Sequence, residues 1–310
     1  MRNTLLLLFS LTLLSLLAFA ALSWRELSSP MPMEGREEIM LDVTHGESIY
    51  KVASKLEKEG VLPFARAWVW YARLAGKAEG IKAGEYQIVS GMTPLQLLQN
   101  LVEGNVASYS LTIIEGWTSA MAIRAIQETP GIVKTVESEN PAEVLAAVGA
   151  EEPFTHIEGI FYPDTYRFTK GTEDRSILQR SHQRLVAALD NAWEGRDQNL
   201  PYRNPYEVLV MASIIEKETG ARSERAQIAG VFVERLKKKM RLQTDPTVIY
   251  GMGESYKGNI RRKDLRAETP YNTYRITGLP PTPIALPSGA SLDAAVHPLL
   301  NGMIFFCGQG

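Results

Sequence analysis

The hydrophobic patterning predicts an α+β protein in which helices dominate, carried behind an N-terminal transmembrane helix. Three observations lead there. An uncharged apolar run extends from Thr4 to Trp24. Residues 40–106 read as strand, helix, helix, strand, then a further helix. From Ser119 to Lys239, helical periodicities follow one another with few strand-like stretches between them. Residues 107–310 therefore form a larger, helix-rich α+β domain behind the smaller one.

The apolar run is about 20 residues long, enough to cross a bilayer as a helix. Arg2 precedes it, which favours a cytoplasmic N-terminus, and Trp24 suits the membrane interface. Ala18-Phe-Ala20 has the small-x-small form of a signal-peptide cleavage site, so a cleaved leader is the alternative to a transmembrane anchor over 1–24. Either way the rest of the chain is exported. No cysteine stands near the end of the run, which excludes a bacterial lipoprotein. Residues 25–39 follow as a linker; Ser28 to Glu38 is rich in Pro, Met and charge.

Met40 to Val43 reads as the first strand. Ser48 is placed to cap a helix in which Ile49, Val52, Ala53 and Leu56 recur at helical spacing, and Gly60 closes it. Phe64 to Ala75 is a second helix, stopped by Gly76. Lys82 to Ile88 is the second strand. Thr93-Pro94 opens a helix over Leu95–Val102, closed by Gly104. The order of elements, with the opening His45-Gly-Glu-Ser48 and Val52-Ala53, resembles the LysM module. That resemblance implies a βααβ unit over 40–106 that binds glycans containing N-acetylglucosamine; a packing or positioning role is the alternative.

In the second domain, Ser110–Ile114 is a strand and Ser119–Glu128 a helix. Glu143–Val148 is a short helix. Glu158 to Phe168 alternates aromatic residues around Pro163-Asp164 and reads as extended with a bend. Asp174–Trp193 is a long helix with Asp174 near its cap, followed by helices over Tyr206–Thr219 and Glu224–Lys239. Asp245-Pro246 reads as cap and first turn of a helix through Tyr250. The region after Gly251 is mostly loop.

Composition narrows the function. With 33 Lys and Arg against 35 Asp and Glu, the net charge is −2, so nothing points to nucleic acid. The single cysteine, Cys307, excludes an intrachain disulfide and a cysteine-rich metal site. His45, His156, His182 and His297 are scattered and show no HExxH spacing, so no metal site is expected. There is no G-x-S-x-G, P-loop or dinucleotide fingerprint, and no cofactor is implied.

The helix ending Glu216-Lys217-Glu218 is the chemically suggestive segment. At about 100 degrees per residue, its apolar direction lies between Val208 and Met211. Glu218 falls within about 50 degrees of that direction, Glu216 more than about 100 degrees away, and Lys217 on the opposite face. A carboxylate against apolar neighbours has its pKa raised and can protonate a leaving-group oxygen; the alternative is a charged helix end in solvent. Asp245 reads as a helix cap, while Gln243 and Thr244 could point amide and hydroxyl groups into a cleft. Tyr271-Asn-Thr-Tyr274 offers the aromatic and polar mixture that binds sugars, or else tyrosines that pin a loop. Gly278-Leu-Pro-Pro-Thr-Pro-Ile284 reads as a stiff extended wall.

Together, Glu158-Gly-Ile-Phe-Tyr-Pro-Asp-Thr-Tyr166, Met211 to Thr219, Arg241 to Gly253, Tyr271 to Tyr274 and Gly278 to Pro281 resemble the YceG-like family of endolytic murein transglycosylases. The resemblance implies a single-pass protein of the bacterial inner membrane with its catalytic domain in the periplasm. It implies cleavage of MurNAc-β-1,4-GlcNAc bonds within nascent peptidoglycan strands, leaving 1,6-anhydro-MurNAc ends. Glu218, the second glutamate of the triplet, takes the catalytic position, and Gln243, Thr244, Asp245, Tyr271, Asn272 and Tyr162 the substrate-binding ones. Glycan strands are the implied partner, with cell-wall synthases beside them. The family pattern closes with an aromatic strand, a Gly-x-His-x-Phe segment and a terminal helix; Met303–Gly310 reads as the start of such a strand, which then stops, so the C-terminal end is expected to be shortened. A non-enzymatic peptidoglycan-binding scaffold and a pyridoxal-phosphate lyase are the competing readings.

Overall fold

The structure, a computed structural model, describes residues 2–305. It is a mixed helix and sheet protein that divides into two compact units, Met1–Tyr109 and Ser110–Gly310.

The first unit starts with helix α1 (Arg2–Ser28), whose stretch Leu8–Ser28 is long and apolar enough to cross a membrane. The helix continues beyond Trp24. Leu27, Met31 and Met33, in the stretch that reads as a linker, are buried in the core of this unit. Strand β1 (Glu38–Val43) pairs antiparallel with β2 (Gly84–Val89), with Leu41 opposite Tyr86. Alternation then turns Leu41, Val43, Tyr86 and Ile88 inward. Helices α2 (Ile49–Lys58) and α3 (Ala65–Leu74) connect the strands, and α4 (Pro94–Glu103) follows. Trp68 of α3 is fully buried, and its indole N–H donates to the Pro94 carbonyl at 2.8 Å. The Thr93 and Gln96 side chains form a reciprocal capping box at the start of α4. Ser48 precedes α2 as expected, but its side chain makes no cap bond.

In the second unit, β3 (Tyr109–Thr112) leads to α5 (Ser119–Glu128), β4 (Ile132–Val133) and α6 (Pro141–Val148). Then come β5 (Thr165–Phe168), which pairs with β3, and β6 (Thr172–Glu173), which runs parallel to β4. Each sheet is only two strands wide, so helices supply most of the core. These are α7 (Asp174–Gly195), α8 (Pro205–Glu218), α9 (Arg225–Lys237), α10 (Asp245–Met252) and α11 (Gly289–Val296). Asp174 is fully buried at the start of α7. Burial pushes its carboxyl up, but hydrogen bonds from Thr135, Gln127 and the Arg175 amide outweigh that and hold it below the usual range.

Three differences from the sequence reading matter for the site. Helix α11 lies where loop is expected: it has eight residues and two glycine or serine positions at its start, too short for a periodic signal. Thr244, not Asp245, is the cap position of α10; Asp245 is its first residue, and the Asp245 carboxylate caps nothing. Residues 303–305 are not in a strand, and the rest of the expected terminal strand lies outside the described residues.

Candidate active site

Helix α8 starts cleanly. Asn204 accepts from the Glu207 amide, and Pro205 occupies the first turn, where its missing N–H costs nothing. Every residue from Val208 to Ile215 is buried. A helix apolar on all sides belongs in the middle of a core. The charged triplet is therefore carried to the end of a buried rod.

The two glutamates of that triplet have different surroundings. Glu216 does not flank the helix in solvent, as its projected angle suggests; its side chain is 6% exposed. It pairs with Arg225 at 3.0 Å and accepts from the Ser288 amide, the Ser288 hydroxyl and the Ser291 hydroxyl. All of these come from α9 or from the start of α11. Lys217 is exposed and donates to the Gly116 carbonyl. Glu218 is half-buried and accepts one hydrogen bond, from the Thr244 hydroxyl at 2.5 Å. Burial raises its pKa; the Thr244 bond opposes this, the Asp245 charge adds to it, and Arg235 opposes it more weakly. The net shift is upward, so the carboxyl stays protonated further toward neutrality than an ordinary glutamate.

Thr244 is held by a cluster of threonines. Its amide donates to the Thr273 hydroxyl at 3.0 Å, Thr247 donates to the Thr244 carbonyl, and Thr247 and Thr273 share a hydrogen bond. Gln243 sits at φ 51°, a left-handed conformation, with its amide bonded to the Thr273 carbonyl. These bonds tie the 243–247 turn to the 271–274 loop. They also bring Tyr274 to the site, where its hydroxyl donates to Asp245 at 2.7 Å. Burial and that carboxylate push the Tyr274 hydroxyl up to about 12. Arg235 of α9 is buried and donates to the Leu242 and Ile304 carbonyls, holding the chain just before Gln243.

Of the six expected substrate-binding residues, Thr244 and Asp245 stand around Glu218, and Gln243 adjoins them with an exposed side chain. Asn272 is buried, and its amide donates to the Asp264, Leu265 and Ala267 carbonyls, so it is engaged in shaping the loop rather than facing a cleft. Tyr271 belongs to a second cluster: its hydroxyl bonds Thr282 at 2.8 Å, and its ring lies edge-on to Tyr250 at 4.9 Å. Tyr162 lies against Arg184 and Gly289, at the start of α11.

The second cluster contains a carboxylate that sequence reasoning passed over. Glu158 is 6% exposed and accepts from the Ser119 and Gly159 amides and from the Tyr250 hydroxyl. Burial raises its pKa despite those donors. Gly159 beside it has φ 80°, and a Cβ there would lie 2.4 Å from Pro283. Only glycine fits, which explains the Glu-Gly pair of the motif. Arg235 is absent from the sequence expectations, and Tyr274 enters them only as the end of the Tyr271-Asn-Thr-Tyr274 string, with no role of its own. Neither has a local signal: Arg235 reads as one more charge on a helix, and Tyr274 as the far end of a loop string. Among the described residues, no group of three His, Cys, Asp or Glu side chains could hold a metal ion.

The model of the YceG-like family matches residues 41–310. The endolytic murein transglycosylase of Bacillus subtilis (strain 168) is 30% identical over 303 residues, covering 93% of this chain and 83% of that protein. The endolytic murein transglycosylase of Streptococcus pneumoniae serotype 2 (strain D39) is 24% identical over 312 residues. Those cover 89% of this chain and 55% of that protein, so the chain spans about half the length of the pneumococcal relative. The crystal structure of a YceG-like protein from Listeria monocytogenes matches with a TM-score of 0.54 at 30% identity, over 88% of this chain and 94% of that one.

Proposed function

The chain belongs to the YceG-like family, and we infer that it is an endolytic murein transglycosylase that cuts within peptidoglycan glycan strands. The relatives named above are enzymes of that name, which favours catalysis over a binding scaffold or a pyridoxal-phosphate lyase.

Glu218 is the catalytic group in this reading. The observation that carries it is the contrast at the end of α8: Glu216 is fixed by Arg225 and two serines, while Glu218 is half-buried, raised in pKa and bonded by Thr244. The protonated Glu218 carboxyl donates to the oxygen linking MurNAc C1 to the next GlcNAc. The C1–O bond breaks, and positive charge develops on the MurNAc ring. The Glu218 carboxylate then takes the proton of the same sugar's 6-hydroxyl as that oxygen bonds to C1. The products are a GlcNAc hydroxyl and a 1,6-anhydro-MurNAc end, and Glu218 is protonated again. One carboxyl serves both steps because the nucleophile comes from the substrate, unlike the two-carboxylate hydrolases. Gln243 and Thr244 line the proposed sugar site, with Asn272 shaping its loop and Asp245 holding Tyr274.

The first unit contributes substrate binding in the LysM manner. A cavity of about 920 Å³ there is lined by the Thr44–Tyr50 turn, Arg73, Gly76 and the segment ending Ile81-Lys82-Ala83. Its position between the first strand–helix turn and the return to β2 supports a glycan site. Helix α1 anchors the chain in the inner membrane, with the catalytic unit on the periplasmic side among the cell-wall synthases.

The test is Glu218→Gln in the full chain, incubated with uncrosslinked glycan strands. Mass spectrometry should find anhydro-ended fragments from wild type and a loss of about a thousandfold in the variant. Equal release from both would reject Glu218 as the acid.

A further inference from the structure

An apolar stripe lies on α3, next to the membrane span. Trp70 is 65% exposed and Leu74 83% exposed. Residues four apart on a helix share a face, so the two form one strip. Large apolar side chains this open to water mark an interaction surface. Arg66 is also exposed and stands one turn before Trp70 on the same side.

The occupant follows from what α3 touches. Tyr71, the neighbour of Trp70, meets Trp24 of α1 with ring centroids 6.1 Å apart and edge-on geometry. Trp24 lies near the end of the candidate span Leu8–Ser28. The hydrocarbon core takes about 20 residues of helix, which places Trp24 at the headgroup level, where tryptophan concentrates. At about 100 degrees per residue, Tyr71, Ala67, Leu74 and Trp70 fall within roughly 100 degrees of one another, so the exposed strip continues the face that meets Trp24. No slack separates the span from the unit: Leu27, Met31 and Met33 are in its core, and the Met31 amide donates to the Met92 carbonyl at 2.8 Å.

We propose that α3 is an interfacial helix, with Trp70 and Leu74 inserted at the headgroup boundary of the same bilayer that α1 crosses. Arg66 and Arg25, both exposed, keep their guanidinium groups among the lipid phosphates while their stems lie along the apolar layer. The consequence is a fixed pose: the first unit lies down on the membrane instead of swinging from a flexible tether. The inference rests on α1 being retained as an anchor.

The experiment uses the full chain with Cys307→Ser, reconstituted in phosphatidylethanolamine and phosphatidylglycerol vesicles. A nitroxide is attached at one introduced cysteine at a time: Leu13→Cys in the span, Trp70→Cys and Leu74→Cys on the strip, and Gln87→Cys on β2. Accessibility to oxygen and to a water-soluble nickel chelate gives each label's depth. Label 13 should be deep in lipid, 70 and 74 at shallow lipid depth, and 87 in water. If 13 is in lipid while 70 and 74 meet the nickel chelate as freely as 87, the docking is wrong and the anchor stands. Shielding of 70 and 74 from both reagents would mean a protein covers the strip and would equally reject lipid docking. A water-exposed label at 13 would remove the anchor and the docking with it.

Discussion

Glu216 and Glu218 stand two positions apart on one helix and are separated by their partners. Glu216 meets a guanidinium and two hydroxyls, which fix it as a charged structural group. Glu218 meets one hydroxyl in a desolvated setting, and that leaves its proton available. The Thr244 hydroxyl stabilises the ionised form, so Thr244→Val should raise the Glu218 pKa further. Activity that depends on the protonated acid falls as pH rises through that pKa. In the variant, the alkaline limb of the kcat profile should therefore move to higher pH. A limb that stays in place would detach Thr244 from the acid step. The motif strings single out Glu218 in the sequence, and the helical projection favours it on a premise the structure does not keep. It assumed one apolar face, whereas α8 is buried on every side.

Helices α8, α9 and α11 are joined at one point, where Arg225 of α9 and Ser288 and Ser291 at the start of α11 converge on Glu216. Removing one member of a buried ion pair leaves the other charge desolvated and unpaired, a loss of roughly 3–5 kcal/mol. Glu216→Gln should therefore lower the urea midpoint by a corresponding amount while leaving the acid step proposed for Glu218 intact in whatever fraction stays folded. An unchanged midpoint would show that the ion pair contributes nothing net. Element α11 was not legible as a helix, since eight residues carry barely two turns of periodicity. Element α10 was legible, though its cap shifted by one residue. Asp245 stands inside the helix as its first residue, and its carboxylate accepts from Tyr274 instead of capping.

At the scale of the whole molecule, stability should carry the signature of two raised carboxyls in the second unit, buried Glu158 and half-buried Glu218. A folded-state pKa above the ordinary 4.5 means that the native chain holds the proton longer than the unfolded chain. Stability is then greatest below 4.5 on this account and declines as pH rises through the folded values. Glu158→Gln keeps an acceptor for the Ser119 and Gly159 amides and cannot ionise. Its urea midpoint should fall less between about pH 5 and about pH 8 than that of wild type. Identical slopes would show that Glu158 titrates normally.

The sequence by itself determined the membrane-length apolar helix, the order of strands and helices in the first unit, and the strings that identify the family. Each of these is set by neighbours along the chain: an uncharged run, period-2 and period-3.6 patterning, capping residues, and glycines at turns. The tertiary structure decided which polar residue does what. Asn272 and Tyr271 are adjacent in sequence, yet one shapes a loop and the other packs on Tyr250. Arg235 and Tyr274 stand at the site, and the Glu158 carboxylate is buried beneath Tyr250, through contacts between residues tens of positions apart. A side chain's chemistry depends on the desolvation and charge that distant segments impose, and no local pattern encodes that.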